Sequence, residues 1–260
     1  MSEIHPTAIV DSKVELGENV KIGAYAIIKG NVKIGDNTVI GEHAYIQGKT
    51  EIGKNNKIFP FATIGSDPQD LKFKGEDTEL IIGDNNVFRE FVTINRGTEA
   101  GGGKTVIGNN NFFMAYSHVA HDCVIKNHVI FANNATLAGH IVVEDFAIIG
   151  GLSAVHQFCR IGEYAMIAGK TGVAKDVPPF TLASGQRAKL VGLNTVGLKR
   201  HGFSEERIRL LKKVYHLLFK KKVNFKKTCE QLENEYKDNQ DVMKIINFIK
   251  KSQRGITKDG

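Results

Sequence analysis

Residues 118–140 read "HVAHDCVIKNHVIFANNATLAGH" and hold four of the chain's nine histidines. His118 and His121 stand three apart, and Asp122 follows His121 directly. Three readings fit such a set: a metal site, an acid–base site, or a solvated polar surface. A histidine beside a carboxylate suits general-base work near neutral pH. Spacing alone does not choose among the three. The choice rests on where each side chain points, and therefore on the elements that carry it.

Those elements announce themselves as a repeat. Ile4, Val10, Leu16, Ile22, Ile28, Ile34, Ile40, Ile46, Ile52, Ile58 and Ile64 recur every six residues. Ile82, Phe88 and Ile94 resume the rhythm, and twelve more positions carry it from Ile107 to Val173. The residue four places after each apolar one is mostly small or β-branched, as at Ala8, Val20, Ser117, Cys123, Ala135 and Cys159. Positions zero and four lie two residues apart across the hexad boundary, so both face inward along a short strand. A period of six has no helical reading, because 3.6 does not divide it. Cys123 and Cys159 are then buried fillers rather than reactive thiols.

Hexads of this kind resemble the hexapeptide-repeat family, which implies a left-handed parallel β-helix whose triangular coil spends 18 residues on three strands. The general crossover preference would give the opposite hand. Residues 18 apart then stack at about 4.8 Å. His121, Gly139 and Gln157 form one column, Asp122 stacks under His140 in the next, and His118 lies in the same coil. The expected positions are outward or at corners. A glycine one coil from a histidine–carboxylate pair lets a backbone N–H approach a developing oxyanion, which suits acyl transfer to a hydroxyl. No serine or cysteine stands ready as a nucleophile, so direct transfer is the expectation.

Two polar segments interrupt the rhythm, at 66–81 and 96–106, and in repeat proteins insertions map to the binding face. The second nearly imitates a phosphate loop, but Thr98 stands where that motif needs glycine. Residues 1–190 are thus expected to form the β-helix with these two insertions, and 191–260 a C-terminal helical domain. "SEERIRLLKKVYHLLFKKK" opens with a capping serine and spaces Ile208, Leu211, Val214, Tyr215 and Leu218 at helical intervals. "KTCEQLENEYK" and "DVMKIINFIKK" read as two further helices.

Charge is skewed along the chain. Residues 1–198 hold 18 Lys/Arg against 20 Asp/Glu, and residues 199–260 hold 17 against 8, or +9. An acidic partner meeting the tail follows, with Lys212, Lys213, Lys220 and Lys221 as candidate contacts. No apolar run approaches the roughly 20 residues of a membrane span, the start lacks a signal-peptide pattern, and three cysteines without CxxC pairing fit neither a disulfide framework nor a zinc ribbon. A cytoplasmic protein is expected.

The motifs "IGSDPQDLKF", "HVAHDC", "NNATLAGH", "GGLSAVHQF", "DVPPF" and "GLKRHGF" closely resemble the acyl carrier protein-dependent UDP-N-acetylglucosamine O-acyltransferases of lipid A synthesis, over essentially the whole chain. The resemblance implies a homotrimer with active sites between subunits. It also implies transfer of an (R)-3-hydroxyacyl group from acyl carrier protein to the sugar 3-OH. The only donor is that thioester: no cofactor, no metal, no nucleic acid. His121 matches the general base, Asp122 the residue that orients it, and Gly139 the oxyanion-binding amide. Gln69, Asp70, His118, His140, Gln157, Asn194 and Arg200 match positions that bind the UDP sugar or shape the cleft, and Lys72 one beside the acyl donor. Gly169 matches the position where the acyl tail ends; glycine there implies a longer, myristoyl-type chain over a decanoyl one.

Three residues depart from the pattern: Asn95 where members often have His, Val196 where a Glu often stands, and His201 in place of a second Arg. An acceptor bearing a 3-amine therefore stays open beside the hydroxyl. A zinc hydratase of the same repeat class would draw on His121 and His156, but its third histidine is expected where Ile161 stands. A catalytically silent scaffold would have no need of the two loops or of the aligned column.

Overall fold

Every hexad ends a short strand, and the 26 of them run from Glu3–Ile4 to Gly172–Val173. The computed structural model describes residues 2–220 and 224–259. The strands sort into three parallel sheets that wind as a left-handed β-helix. Sheet I holds eleven strands, sheet II nine and sheet III eight. Val119 pairs with Leu137 and Leu137 with Val155, which is the 18-residue coil. The position-zero residues are buried from Ile22 onward, and Phe88, Phe113 and Phe131 stack inside sheet I at 4.9 and 4.8 Å.

Most corners are turned by one residue in the left-handed conformation, three places after the apolar one. Where sheet III passes to sheet I, Asn19, Asn37, Asn55, Asn85 and Asn110 take it, at φ near 57°. Asparagine adopts this region at low cost, which accounts for its recurrence. The II–III corner uses Asp122 (φ 60°), His140 (62°) and Phe158 (64°) instead.

The inward column of small residues contains a feature that size alone does not reveal. Asn56, Asn86 and Asn111 are fully buried there. The Asn86 backbone N–H donates to Asn56 Oδ1 and that of Asn111 to Asn86 Oδ1, both at 2.9 Å. Their Nδ2 groups donate to Gly83, Gly108 and Lys126 carbonyls, so each amide is used on both ends.

Both insertions leave sheet II and return to sheet III, on one edge of the prism and in consecutive coils. They are shorter than the expected 66–81 and 96–106. Residues Glu79–Ile82 and Lys104–Ile107 are four-residue strands pairing with each other, and the former also with Lys49–Ile52. The excursions proper are 67–78 and 96–103. Arg96 ties the two together: its guanidinium meets Asp67 at 2.8 Å and lies over the Phe73 ring. Asn95 Nδ2 adds a bond to the Asp67 carbonyl.

After the last coil an antiparallel pair, Thr181–Ser184 with Lys189–Leu193, extends sheet I across the expected boundary at 190. Among the described residues four α-helices follow: α1 (Thr195–Arg200), α2 (Glu205–Tyr215), α3 (Phe225–Glu235) and α4 (Gln240–Lys250). Ser204 caps α2 as its sequence suggests, and Ile208, Leu211, Val214 and Tyr215 are its buried face. Leu218 is buried on a π-helical extension, His216–Lys220. The chain then returns to the prism, where Asp176 bridges Ile256 and Leu190 bridges Asp259. No helix among the described residues is long and apolar enough to cross a membrane.

Candidate active site

The turn Ala120–Cys123 sits on the II–III edge one coil beyond the second loop. His121 Nδ1 lies 2.7 Å from Asp122 Oδ2. A carboxylate only accepts, so Nδ1 carries a proton, and in the neutral ring Nε2 is the nitrogen with the lone pair. His140 Nδ1 is 3.7 Å from the same oxygen, and the two imidazoles meet edge to face at 5.1 Å. Phe158 stacks on His140 from the next coil at 4.4 Å, fixing that ring in turn.

Asp122 is not at an open corner, as its hexad position suggests; it is 8% exposed. The reason is the loop 96–103, which folds over it. Thr98 donates its backbone N–H to Oδ1 at 2.8 Å and its hydroxyl to Oδ2 at 2.6 Å. Thr105 Oγ1 accepts from the Asp122 backbone N–H at 2.8 Å. Reasoning from hexad spacing missed both threonines. The signal was present, because Ile94 pairs with Val119, 25 residues on, and the same offset sets Gly97, next to Thr98, against Asp122.

Gly139 is buried beneath the His121 ring. A Cβ there would lie 2.5 Å from His121 Cε1 and 2.8 Å from Nε2. Among the described residues its backbone N–H meets no backbone acceptor, which leaves it free for an oxyanion. The glycine therefore serves the site twice, in space and in hydrogen bonding.

His118 is half-buried on sheet II, with Nδ1 2.7 Å from Thr93 Oγ1. Burial, aided by His121, holds its pKa below the usual imidazole value. Burial likewise lowers that of His140, against the opposing pull of Asp122 and of Asp70 on the first loop. Both rings are thus uncharged near neutral pH. Asp70 accepts from the Lys72 N–H at 3.0 Å, while Gln69, Lys72 and Gln157 are exposed.

The remaining expected residues lie elsewhere on the same chain. Asn194 caps α1, accepting from the Gly197 N–H, and donates Nδ2 to the Tyr164 carbonyl on the III–I edge. Arg200 ends α1 and is exposed beside His201, whose ring meets Phe146 and Tyr164. Gly169 is exposed on the I–II edge in a column with Gly151, and a Cβ there meets only the Gly151 carbonyl, at 3.3 Å. One chain therefore brings together His118, His121, Asp122, Gly139 and His140, with Asp70 close enough to act on His140, and sets Asn194, Arg200 and Gly169 on its other two edges. Val196, one of the departures, is exposed on α1.

His121, Asp122 and His140 present ligand-type atoms within 4.8 Å of one another. Both Asp122 oxygens already accept hydrogen bonds, so the set is built as a hydrogen-bonded one. His156 has the Arg254 guanidinium 3.2 Å from its Nδ1, a poor neighbour for a cation. Thiol nucleophiles are also disfavoured. Burial pushes Cys123 up to about 12 and Cys159 up to about 11.

Comparison with known proteins places these features in context. The family described as UDP N-acetylglucosamine O-acyltransferase, domain 2, matches residues 176–257, and the bacterial transferase hexapeptide family matches residues 13–48 and 104–139. An acyl-[acyl-carrier-protein]–UDP-N-acetylglucosamine O-acyltransferase of Thermodesulfovibrio yellowstonii is 57% identical over 99% of this chain and 100% of its own. Its counterpart in Halorhodospira halophila is 52% identical over the same shares. The crystal structure of Francisella novicida UDP-N-acetylglucosamine acyltransferase superposes with a TM-score of 0.96 at 39% identity, covering 98% of this chain and 94% of that one.

Proposed function

The chain belongs to the UDP-N-acetylglucosamine O-acyltransferase family, and from that premise we propose that it transfers an (R)-3-hydroxyacyl group from acyl carrier protein to the 3-OH of UDP-N-acetylglucosamine, the first step of lipid A synthesis. The observation that carries the reading is the His121 ring, bonded to buried Asp122 and laid over Gly139. His121 Nε2 takes the proton of the acceptor hydroxyl as its oxygen attacks the thioester carbonyl. The Gly139 N–H stabilises the oxyanion. Collapse breaks the carbon–sulfur bond, and the leaving thiolate recovers the proton from His121. The ester forms in one passage, with no cofactor or metal in the balance.

The scatter of candidate residues over three edges supports assembly as a homotrimer, in which a cleft between neighbours sets one chain's II–III edge against another's residues. A carrier-protein thioester as donor supports a cytoplasmic location. The test is direct: purified protein, acyl carrier proteins loaded with 3-hydroxy chains of several lengths, UDP-N-acetylglucosamine and its 3-amino analogue. Transfer to the hydroxyl sugar is expected. Transfer to the amine alone, giving an amide, would replace the acceptor in this reading, and turnover of neither sugar would overturn it.

Chain length is read in the same assay. A groove left open at Gly169 accepts a myristoyl-type chain over a decanoyl one. Each buried methylene contributes roughly 0.8 kcal/mol, so four carbons shift preference by up to about two orders of magnitude. Gly169→Met is expected to move selectivity toward shorter donors and to spare turnover on them. Equal loss on every donor would assign Gly169 to the backbone alone.

The basic tail is the proposed dock for the acidic carrier protein, but not through all four lysines expected from sequence. Lys213 pairs with Glu235 and Lys220 with Asp259, at 3.3 and 2.6 Å, and Lys221 lies outside the described residues. Lys212, Lys226 and Lys227 are exposed and form no ion pair among the described residues. Reversing these three to Glu is expected to raise the KM for acyl carrier protein several-fold, and added salt to raise it in the native protein. A KM indifferent to both would leave the tail as a solvated surface.

A further inference from the structure

We propose that Thr98, on the second inserted loop, is a positioning residue that commits the Asp122 carboxylate to His121 rather than to His140. The inference rests on the general-base reading of His121 given above. Asp122 Oδ2 has two imidazoles within reach, His121 at 2.7 Å and His140 at 3.7 Å, so the direction of the carboxylate is a choice. Thr98 makes that choice with two donors from one residue. Its N–H holds Oδ1 and its hydroxyl holds Oδ2, the latter at 2.6 Å, and the residue itself is 6% exposed. The hydroxyl has only one proton to give, and the carboxylate cannot donate, so the proton points at Oδ2. Its lone pair meanwhile accepts from the Gly101 N–H at 3.1 Å, closing the single turn Glu99–Gly101.

Gly101 completes the clamp from the other side. A Cβ on it would fall 2.0–2.4 Å from the Asp122 carboxylate atoms, so the carboxylate fills the space that any other residue would occupy. Gly101 is not in the left-handed region, unlike Gly102 and Gly103, so alanine there is strained by that contact and not by its backbone. Thr105, two residues past the loop, holds the Asp122 N–H. The insertion and the strand that follows it thus converge on one aspartate.

The test is a kinetic set on the full-length protein: Thr98→Val, Thr98→Ser, Gly101→Ala, His121→Ala and the double variant Thr98→Val/His121→Ala. Losing one charged hydrogen bond is expected to lower kcat about 10- to 100-fold in Thr98→Val, with the KM for the UDP sugar unchanged within about twofold. Serine keeps the hydroxyl and should retain kcat within about threefold. Gly101→Ala should reproduce the valine phenotype without removing any polar group. In the His121→Ala background the valine should cost nothing further, because its effect passes through that ring. A Thr98→Val or Gly101→Ala protein that folds and turns over like the native one, beside a crippled His121→Ala, overturns the role of Thr98 alone. Additive losses in the double variant overturn it too. Native turnover in His121→Ala instead removes the reading on which it rests.

Discussion

His121→Ala is expected to lower kcat by about 10²–10⁴-fold, the usual contribution of a positioned general base, and to leave the KM values close to native. The base acts only as the acceptor oxygen begins to attack, so its loss falls on turnover and not on ground-state binding. Folding should survive. The imidazole is outside the stacked core, and Asp122 keeps both of its bonds to Thr98 when the ring is gone. The expected loss of stability is about 1–3 kcal/mol, one hydrogen bond to a charged group. Steady-state rates with saturating acyl carrier protein, read beside a thermal melt, separate the two effects. Near-native turnover in a folded variant would remove His121 from the mechanism.

Gly139→Ala is the second large effect, and a severe one for a single methyl. The new Cβ would stand 2.5–3.0 Å from three atoms of the His121 ring. Gly139 is not in the left-handed region, so alanine fits the backbone and only the ring has to move. An imidazole at the end of its side chain swings aside more easily than backbone does. The ring then leaves Asp122 and the acceptor hydroxyl, and the free N–H of residue 139 is partly covered as well. A fall in kcat of about 10²–10³-fold is expected, the range seen when one oxyanion donor is lost. The melt should shift little, since overpacking relieved by a surface-side ring stays at the low end of about 1–3 kcal/mol. A variant with native kcat would show that the ring's place above Gly139 has no bearing on the chemistry.

Much of this architecture was legible in the chain because one physical constraint repeats without drift. A strand ending at every sixth residue forces the same side chain inward each time, so the burial of Ile22, Val119 and Ile167 is legible in the sequence alone. The column of His121, Gly139 and Gln157 follows from the same 18-residue step. What escaped notice escapes periodicity. Asn56, Asn86 and Asn111 occupy an inward column by satisfying one another's amides, which size and hydropathy do not encode. Helix α1 is six residues long with Gly197 inside it, too short and too broken for a helical pattern to register. The hairpin Thr181–Ser184 with Lys189–Leu193 begins where the repeat stops. Asp122 looked like an exposed corner because its cover comes from a loop seven residues out of phase with the coil. Asn194 and Arg200 could be named from motif resemblance, but their edge of the prism follows only from where α1 packs against Tyr164.

The central claim is direct transfer, with no acyl-enzyme, within a complex that holds donor and acceptor together, with His121 as the base. Initial rates across a grid of acyl carrier protein thioester and UDP-N-acetylglucosamine concentrations test it most directly. Double-reciprocal lines that intersect, with the intact protein mass unchanged after exposure to the donor alone, are the predicted result. Parallel lines together with an acylated protein would contradict it, since the acyl group would then pass through a covalent enzyme intermediate that the His121, Asp122 and Gly139 geometry does not provide.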